Sequence, residues 1–120
     1  MGQVKELMAY KISYELAIEI FKTTKQFPAE EKYSLVDQIR RSSRSVCANL
    51  AEAYSRRYSR SYFVSKLSDC ITENAETQVW LDFSFDLKYL SEINYQNLTT
   101  KNNEIGKLLI FMINNPEKFS

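Results

Sequence analysis

The chain has 120 residues, of which 44% are apolar, and a formal net charge of +1; that length suits one domain whose core needs neither disulfides nor metal to fold. Two glycines and two prolines leave few turns and argue against an all-β chain. The absence of histidine excludes Ser-His-Asp and Cys-His nucleophiles, His-ligated zinc and the Glu-x-x-His di-iron motif of helical bundles.

The first predicted helix covers about residues 7–25. Tyr10, Tyr14, Ala17 and Phe21 repeat at steps of four, three and four, the spacing that lines one helix face, and Leu16 and Ile20 widen that stripe. Phe27-Pro28 breaks it, because proline disfavours helical geometry at the residue before it. Pro28 also suits the first turn of a second helix, where its missing N–H would have no partner anyway. Glu30 and Glu31 follow where the helix dipole favours carboxylates. This second helix, about residues 29–54, carries the seam Leu35, Ile39, Ser42, Val46, Asn49 and Ala53 at alternating steps of four and three.

Residues 55–61 form the sharpest break, with Ser59 or Ser61 as the N-cap of a third helix over about residues 62–89. Its main stripe is Val64, Leu67, Ile71, Asn74, Gln78, Leu81 and Phe85, and a second stripe holds Trp80, Phe83, Leu87 and Leu90. A helix apolar on two sides is usually covered on two sides, which makes Trp80, Phe83 and Leu87 candidate interface residues. The fourth helix covers about residues 92–113, with Tyr95, Leu98, Ile105, Leu109 and Met112 inward and Asn114-Asn115-Pro116 as its stop. Gly106 costs this helix about 1 kcal/mol relative to Ala, which packing must offset. Short connections between four helices predict an all-α, antiparallel up-down-up-down four-helix bundle, a single domain over residues 1–120.

Charge is segregated along the chain. All six arginines, Arg40, Arg41, Arg44, Arg56, Arg57 and Arg60, fall within residues 40–60, where Glu52 is the one acid, a net of +5. Residues 69–92 reverse the sign, with six carboxylates against Lys88, a net of −5. Arg40, Arg41 and Arg44 share the face opposite the Leu35–Ile39–Val46 seam, while Arg56, Arg57 and Arg60 alternate with Tyr54, Tyr58 and Tyr62. Arginine with tyrosine suits nucleic acid, because guanidinium groups fork onto phosphates and rings stack on open bases. The same charges also suit ion pairs with Asp37 or with Asp69, Glu73 and Glu76, within or between subunits.

Asn49 and Glu52 are read as structural, tying the second helix to its following connection through backbone hydrogen bonds. Cys47 and Cys70 lack metal-ligand spacing and are read as reduced, half-buried thiols. No metal or other cofactor is expected. No apolar run approaches the roughly 20 residues of a membrane span, and no signal-peptide pattern opens the chain. Glu6 stands where a myristoylation pattern after Met1-Gly2 expects Ser or Thr. A cytoplasmic location without membrane contact is the expectation.

Several stretches together resemble a known family. Phe27-Pro28-Ala29-Glu30-Glu31-Lys32-Tyr33-Ser34-Leu35 is similar to an aromatic-Pro-x-Glu-Glu-x-Tyr-x-Leu opening. Gln38-Ile39-Arg40-Arg41-Ser42-Ser43-Arg44-Ser45-Val46 and Asn49-Leu50-Ala51-Glu52-Ala53 continue it, with Ala53 where the family usually has Gly. Phe63-Val64-Ser65-Lys66-Leu67 and Glu73-Asn74-Ala75-Glu76-Thr77-Gln78-Val79-Trp80-Leu81 look like its third helix. The family is that of the bacterial four-helix-bundle proteins encoded in 23S ribosomal-RNA intervening sequences, related to the accessory variability protein of diversity-generating retroelements. The resemblance implies a four-helix bundle assembled as a homopentamer, and the retroelement relative adds RNA as a partner. The expected function is a non-enzymatic oligomeric module that offers its arginines to structured RNA or another nucleic acid, with no small-molecule substrate. The alternative is a protein-interaction scaffold whose arginines serve subunit or partner contacts.

Overall fold

The computed structural model describes residues 2–120; Met1, the expected first residue of the domain, lies outside them. Four helices build the architecture: α1 (Met8–Thr24), α2 (Leu35–Ser55), α3 (Arg60–Asp86) and α4 (Glu92–Asn114). Each packs on its neighbours in the chain and α1 closes on α4, so the four surround one core as an antiparallel up-down-up-down bundle. The 27 residues of α3, at about 1.5 Å per residue, span about 40 Å, close to the 44 Å long axis of the molecule. Among the described residues no helix is long and apolar enough to cross a membrane.

Two helix boundaries differ from expectation by three residues or more, each for a local reason. The turn after Pro28 is a short 3-10 turn, Ala29–Glu31, and Ser34 (φ −124°, ψ −99°) separates it from α2. Glu31 accepts hydrogen bonds from the Ser34 hydroxyl (2.7 Å) and the Tyr89 hydroxyl (2.9 Å), which hold its carboxyl below the usual range. With Phe27 and Tyr89 rings 5.3 Å apart, these bonds join the α1–α2 connection to the α3–α4 connection. Helix α3 ends at Asp86 rather than near residue 89, because Lys88 takes a left-handed conformation, φ 67°. Its N–H donates to the Phe85 carbonyl (2.9 Å) and that of Tyr89 to the Ser84 carbonyl (2.8 Å), the paired bonds of a Schellman motif. The reversal turns Leu90 into the core, out of the outer stripe expected for it.

The inward faces of α2 and α4 match the expected seams except at Asn49 and Tyr95, which are only half-buried. Leu35, Ile39, Ser42, Val46 and Ala53 are buried on α2, and Leu98, Ile105, Leu109 and Met112 on α4. On α1 the core line is instead Ala9, Ser13, Leu16, Ile20 and Thr24. Tyr10, Tyr14, Ala17 and Phe21, expected inward, line a shoulder beside α2. Small residues let the helix backbones approach, whereas a tyrosine ring at the shoulder buries its body and keeps its hydroxyl wet. On α3 the buried line is Phe63, Leu67, Cys70, Thr77, Leu81 and Ser84; Val64, Ile71, Gln78 and Phe85 flank it half-buried. Thr77 and Ser84 tolerate burial because their hydroxyls find local partners. Thr77 Oγ1 lies 2.9 Å from both the Glu73 carbonyl and Ser42 Oγ, and Ser84 Oγ donates to the Trp80 carbonyl at 2.7 Å.

A polar layer crosses the α3–α4 seam. Asn102, 2% exposed, donates to the Asn74 carbonyl and to Gln78 Oε1, both at 3.1 Å. Asn74 Nδ2 lies 2.8 Å from Asn102 Oδ1 and 3.0 Å from its carbonyl. Gly106 sits against this layer: a Cβ there would lie 2.9 Å from Asn74 Oδ1. Between α1 and α4, Lys101 bonds Glu15 Oε1 (2.6 Å) and Glu19, and the two carboxylates hold its amine above its ordinary pKa.

Candidate nucleic-acid interface

The six arginines do not form one patch. Arg44 and Arg56 are 12 residues apart on α2 and its end, about 18 Å along a helix axis, so the groups 40–44 and 56–60 sit at different levels of the bundle. Arg40 is built into the fold. Its Nε donates to Thr24 Oγ1 (2.9 Å), its Nη2 donates to the Phe21 carbonyl (3.2 Å), and its guanidinium lies 4.4 Å from the Phe21 ring centroid. It thereby adds a donor to a last-turn carbonyl of α1 that the Thr24 hydroxyl also reaches (3.2 Å), at the negative end of that helix dipole.

Arg41 bridges α2 and α3, with Nη2 at 3.0 Å from Glu76 Oε1 and Nη1 at 4.0 Å from Glu73 Oε2. Burial and the neighbouring Glu76 carboxylate push the Glu73 carboxyl above its usual range, against the pull of Arg41. Glu73 Oε1 is shut from solvent and finds no hydrogen-bond partner among the described residues.

The other four arginines have no carboxylate partner among the described residues. Arg44 lies 5.7 Å from the Phe21 ring. Arg56 lies 4.4 Å from the Tyr62 ring. Arg57 lies 4.1 Å from the Tyr54 ring and donates through Nη1 to the Tyr54 carbonyl at 3.0 Å. Arg60 is exposed at the first position of α3. Lys32 and Tyr33 join Arg40, Arg41 and Arg44 along one shallow cleft, and Tyr33 is 85% exposed. In the sequence Tyr33 stands out only within the motif before α2. Its spacing to Asp37, Arg40 and Arg44, at steps of four, three and four, carried the signal.

Asn49 donates through Nδ2 to the Ser45 carbonyl of its own helix (2.9 Å), and a lysine of α3 joins it to Glu52. Lys66 of α3 donates to Asn49 Oδ1 (3.3 Å) and pairs with Glu52 (3.4 Å) and Asp69 (3.6 Å). The connection closes on itself through Arg56 N to Ala53 O, Arg57 N to Tyr54 O and Ser59 N to Arg56 O, and the Glu52 carbonyl takes part by accepting the Ser55 hydroxyl at 2.7 Å.

Among the described residues several apolar side chains stay open, and two groups of them bear on assembly. On α3, Phe83 and Leu87 are 51% and 49% exposed, while Trp80 is half-buried with its ring 5.8 Å from that of Phe83. Between α1 and α2, Tyr10, Tyr14, Ala17, Ile18 and Phe21 face Cys47, Ala48 and Ala51 across a groove edged by Arg44. Burial pushes both thiols up, Cys70 to about 12.

Comparison with known proteins agrees with this architecture. No curated protein matches the chain. A solved structure is similar: a protein of unknown function from the S23 ribosomal protein family of Bacteroides thetaiotaomicron, 33% identical, covering 88% of this chain and 95% of that chain with a TM-score of 0.80. The family described as 23S rRNA-intervening sequence protein matches residues 5–111. That match spans all of α1, α2 and α3 and most of α4, and the chain therefore belongs to the 23S rRNA-intervening sequence protein family.

Proposed function

We propose that this chain is a cytoplasmic, non-enzymatic module that assembles with copies of itself and offers arginines to structured RNA. The observation that carries the reading is the state of the arginines: Arg44, Arg56, Arg57 and Arg60 have no carboxylate partner among the described residues, and Arg56 and Arg57 are splayed on aromatic rings. An arginine held in place by a ring loses little further freedom when it meets a phosphate.

Assembly is supported by these two open apolar groups, which differ in their surroundings. The α1–α2 groove has Arg44 on its edge, whereas Phe83 and Leu87 stand beside the exposed Asp82 and Asp86. Two unlike faces with opposite rims fit a head-to-tail contact between copies, and such contacts close into rings. The homopentamer implied by the family resemblance is one closed solution. A ring would multiply modest RNA contacts by avidity.

The test is a titration of labelled structured RNA at about 50 and about 200 mM salt, with wild type and an Arg44/Arg56/Arg60→Gln variant. Arg40 and Arg41 are spared because they hold helices together. The expected result is salt-sensitive binding whose log–log slope shrinks by about one per arginine removed. A folded variant with wild-type affinity and slope overturns the reading. Wild type that ignores RNA while the variant loses its oligomeric state favours the scaffold, in which Arg44 serves the subunit contact.

A further inference from the structure

The α2–α3 turn is the most basic stretch of the molecule: residues 56–60 hold three arginines and no acid. The nearest acid in sequence, Glu52, is already paired with Lys66. Of the three tyrosines interleaved with these arginines, two are in use. Tyr54 is buried beneath Arg57, and Tyr62 backs Arg56. Tyr58 differs from both. It is 77% exposed, and among the described residues its side chain has no hydrogen bond, ring contact or cation partner. The ring therefore adds little to the packing of the bundle, yet it projects from the middle of three cations. Within the turn itself the charge is all positive, and α3 begins here with no acid in its first turn.

We infer that this turn binds unpaired nucleotides of an RNA strand, one base stacked on Tyr58 and the flanking phosphates on Arg56, Arg57 and Arg60. The inference rests on the RNA reading above and narrows it to a strand state and a site. A ring this exposed can stack only on a base whose face is open, and duplex bases already cover one another. Stacking on an aromatic ring tolerates any base, while the guanidinium groups follow the backbone. An acidic peptide would use the arginines but leave the ring without a planar partner.

The experiment is fluorescence anisotropy at about 50 mM salt, using the full chain, a labelled unpaired RNA oligonucleotide, and the same oligonucleotide annealed to its complement. Circular dichroism checks that each variant is folded. The expected result is that wild type prefers the unpaired strand by about tenfold or more, and that Tyr58→Ala weakens its binding by about 5- to 100-fold. Tyr58→Phe keeps wild-type affinity, and neither variant changes duplex binding. Equal affinity for strand and duplex, or an unpaired strand bound as tightly by Tyr58→Ala as by wild type, overturns the inference. If Tyr58→Ala is silent while Arg44/Arg56/Arg60→Gln loses RNA, the stacking site alone falls and the broader reading stands. If wild type binds neither RNA, both fall. Displacement of the strand by polyglutamate at matched charge concentration would assign the turn to acidic protein and also overturn it.

Discussion

Gly106 is a sharp test of how α3 and α4 fit together. In an isolated helix, Gly106→Ala should stabilise by about 1 kcal/mol, because alanine restricts the unfolded chain and favours the helix. Here the new methyl would meet Asn74 Oδ1 at 2.9 Å, and Asn74 cannot turn away freely. Its amide is committed to Asn102 Oδ1 (2.8 Å) and the Asn102 carbonyl (3.0 Å). Moving it breaks contacts worth about 0.5–1.5 kcal/mol each and leaves the buried Asn102 oxygen without its donor, a further cost of about 1–3 kcal/mol. Set against the helix gain, Gly106→Ala is expected to destabilise by about 1–5 kcal/mol, lowering Tm by about 4–20 °C for a domain of this size. The decisive comparison is a double-mutant cycle read by urea and thermal melts. In an Asn74→Ala background the obstruction is gone, and the same Gly106→Ala change should become stabilising by up to about 1 kcal/mol. An unchanged sign in the two backgrounds would refute the argument that the side chain of Asn74 is what requires glycine at 106.

Three further outcomes follow from the same structure. Trp80→Ala should cost about 1–2 kcal/mol in urea melts, because the ring is only half-buried; a loss of about 3–5 kcal/mol would mean that Trp80 is a full core residue. Lys88→Gly should stabilise by about 0.5–1 kcal/mol, since glycine adopts the left-handed φ of 67° without a Cβ penalty. A destabilised Lys88→Gly variant would show that the lysine side chain outweighs its backbone strain. The carboxyl of Glu73 titrates above its usual range in the fold, so its ionised form opposes folding. Stability should then rise as pH falls through the folded pKa toward the unfolded one, and Glu73→Gln should be more stable than wild type at neutral pH, with the gap closing toward about pH 4. A Gln variant weaker than wild type at pH 7 would instead show that the contact with Arg41 outweighs the cost of burying the carboxylate beside Glu76.

The sequence by itself determined the class of fold and the number of helices. Sparse glycine and proline, the break at Phe27-Pro28 and the stop at Asn114-Asn115-Pro116, where α4 ends, are local signals that survive in the structure. The α2 seam was also legible, because its apolar and small residues stand out against a strongly polar opposite face. The phase of α3 was not. Apolar residues surround that helix, so the stripe Val64–Leu67–Ile71 and its neighbour Phe63–Leu67–Cys70 fit the same period, one residue apart in rotation. Packing against α2 chose the second, with Thr77 and Ser84 hiding their hydroxyls on their own helix.

The inward tyrosine stripe expected on α1 failed for a related reason. Periodicity marks which residues share a face, whereas the closeness of the neighbouring backbones decides which face enters the core, and here Ala9 and Ser13 fit where Tyr10 and Tyr14 do not. The arginines show the same division. Their crowding into one window of sequence is plain, and so is the interleaving with tyrosine. Only the tertiary structure separated Arg40 and Arg41, bound to the end of α1 and to Glu76, from Arg44, Arg56, Arg57 and Arg60. The partners of a guanidinium group come from helices far away in sequence, and nothing local encodes which of them arrive within reach.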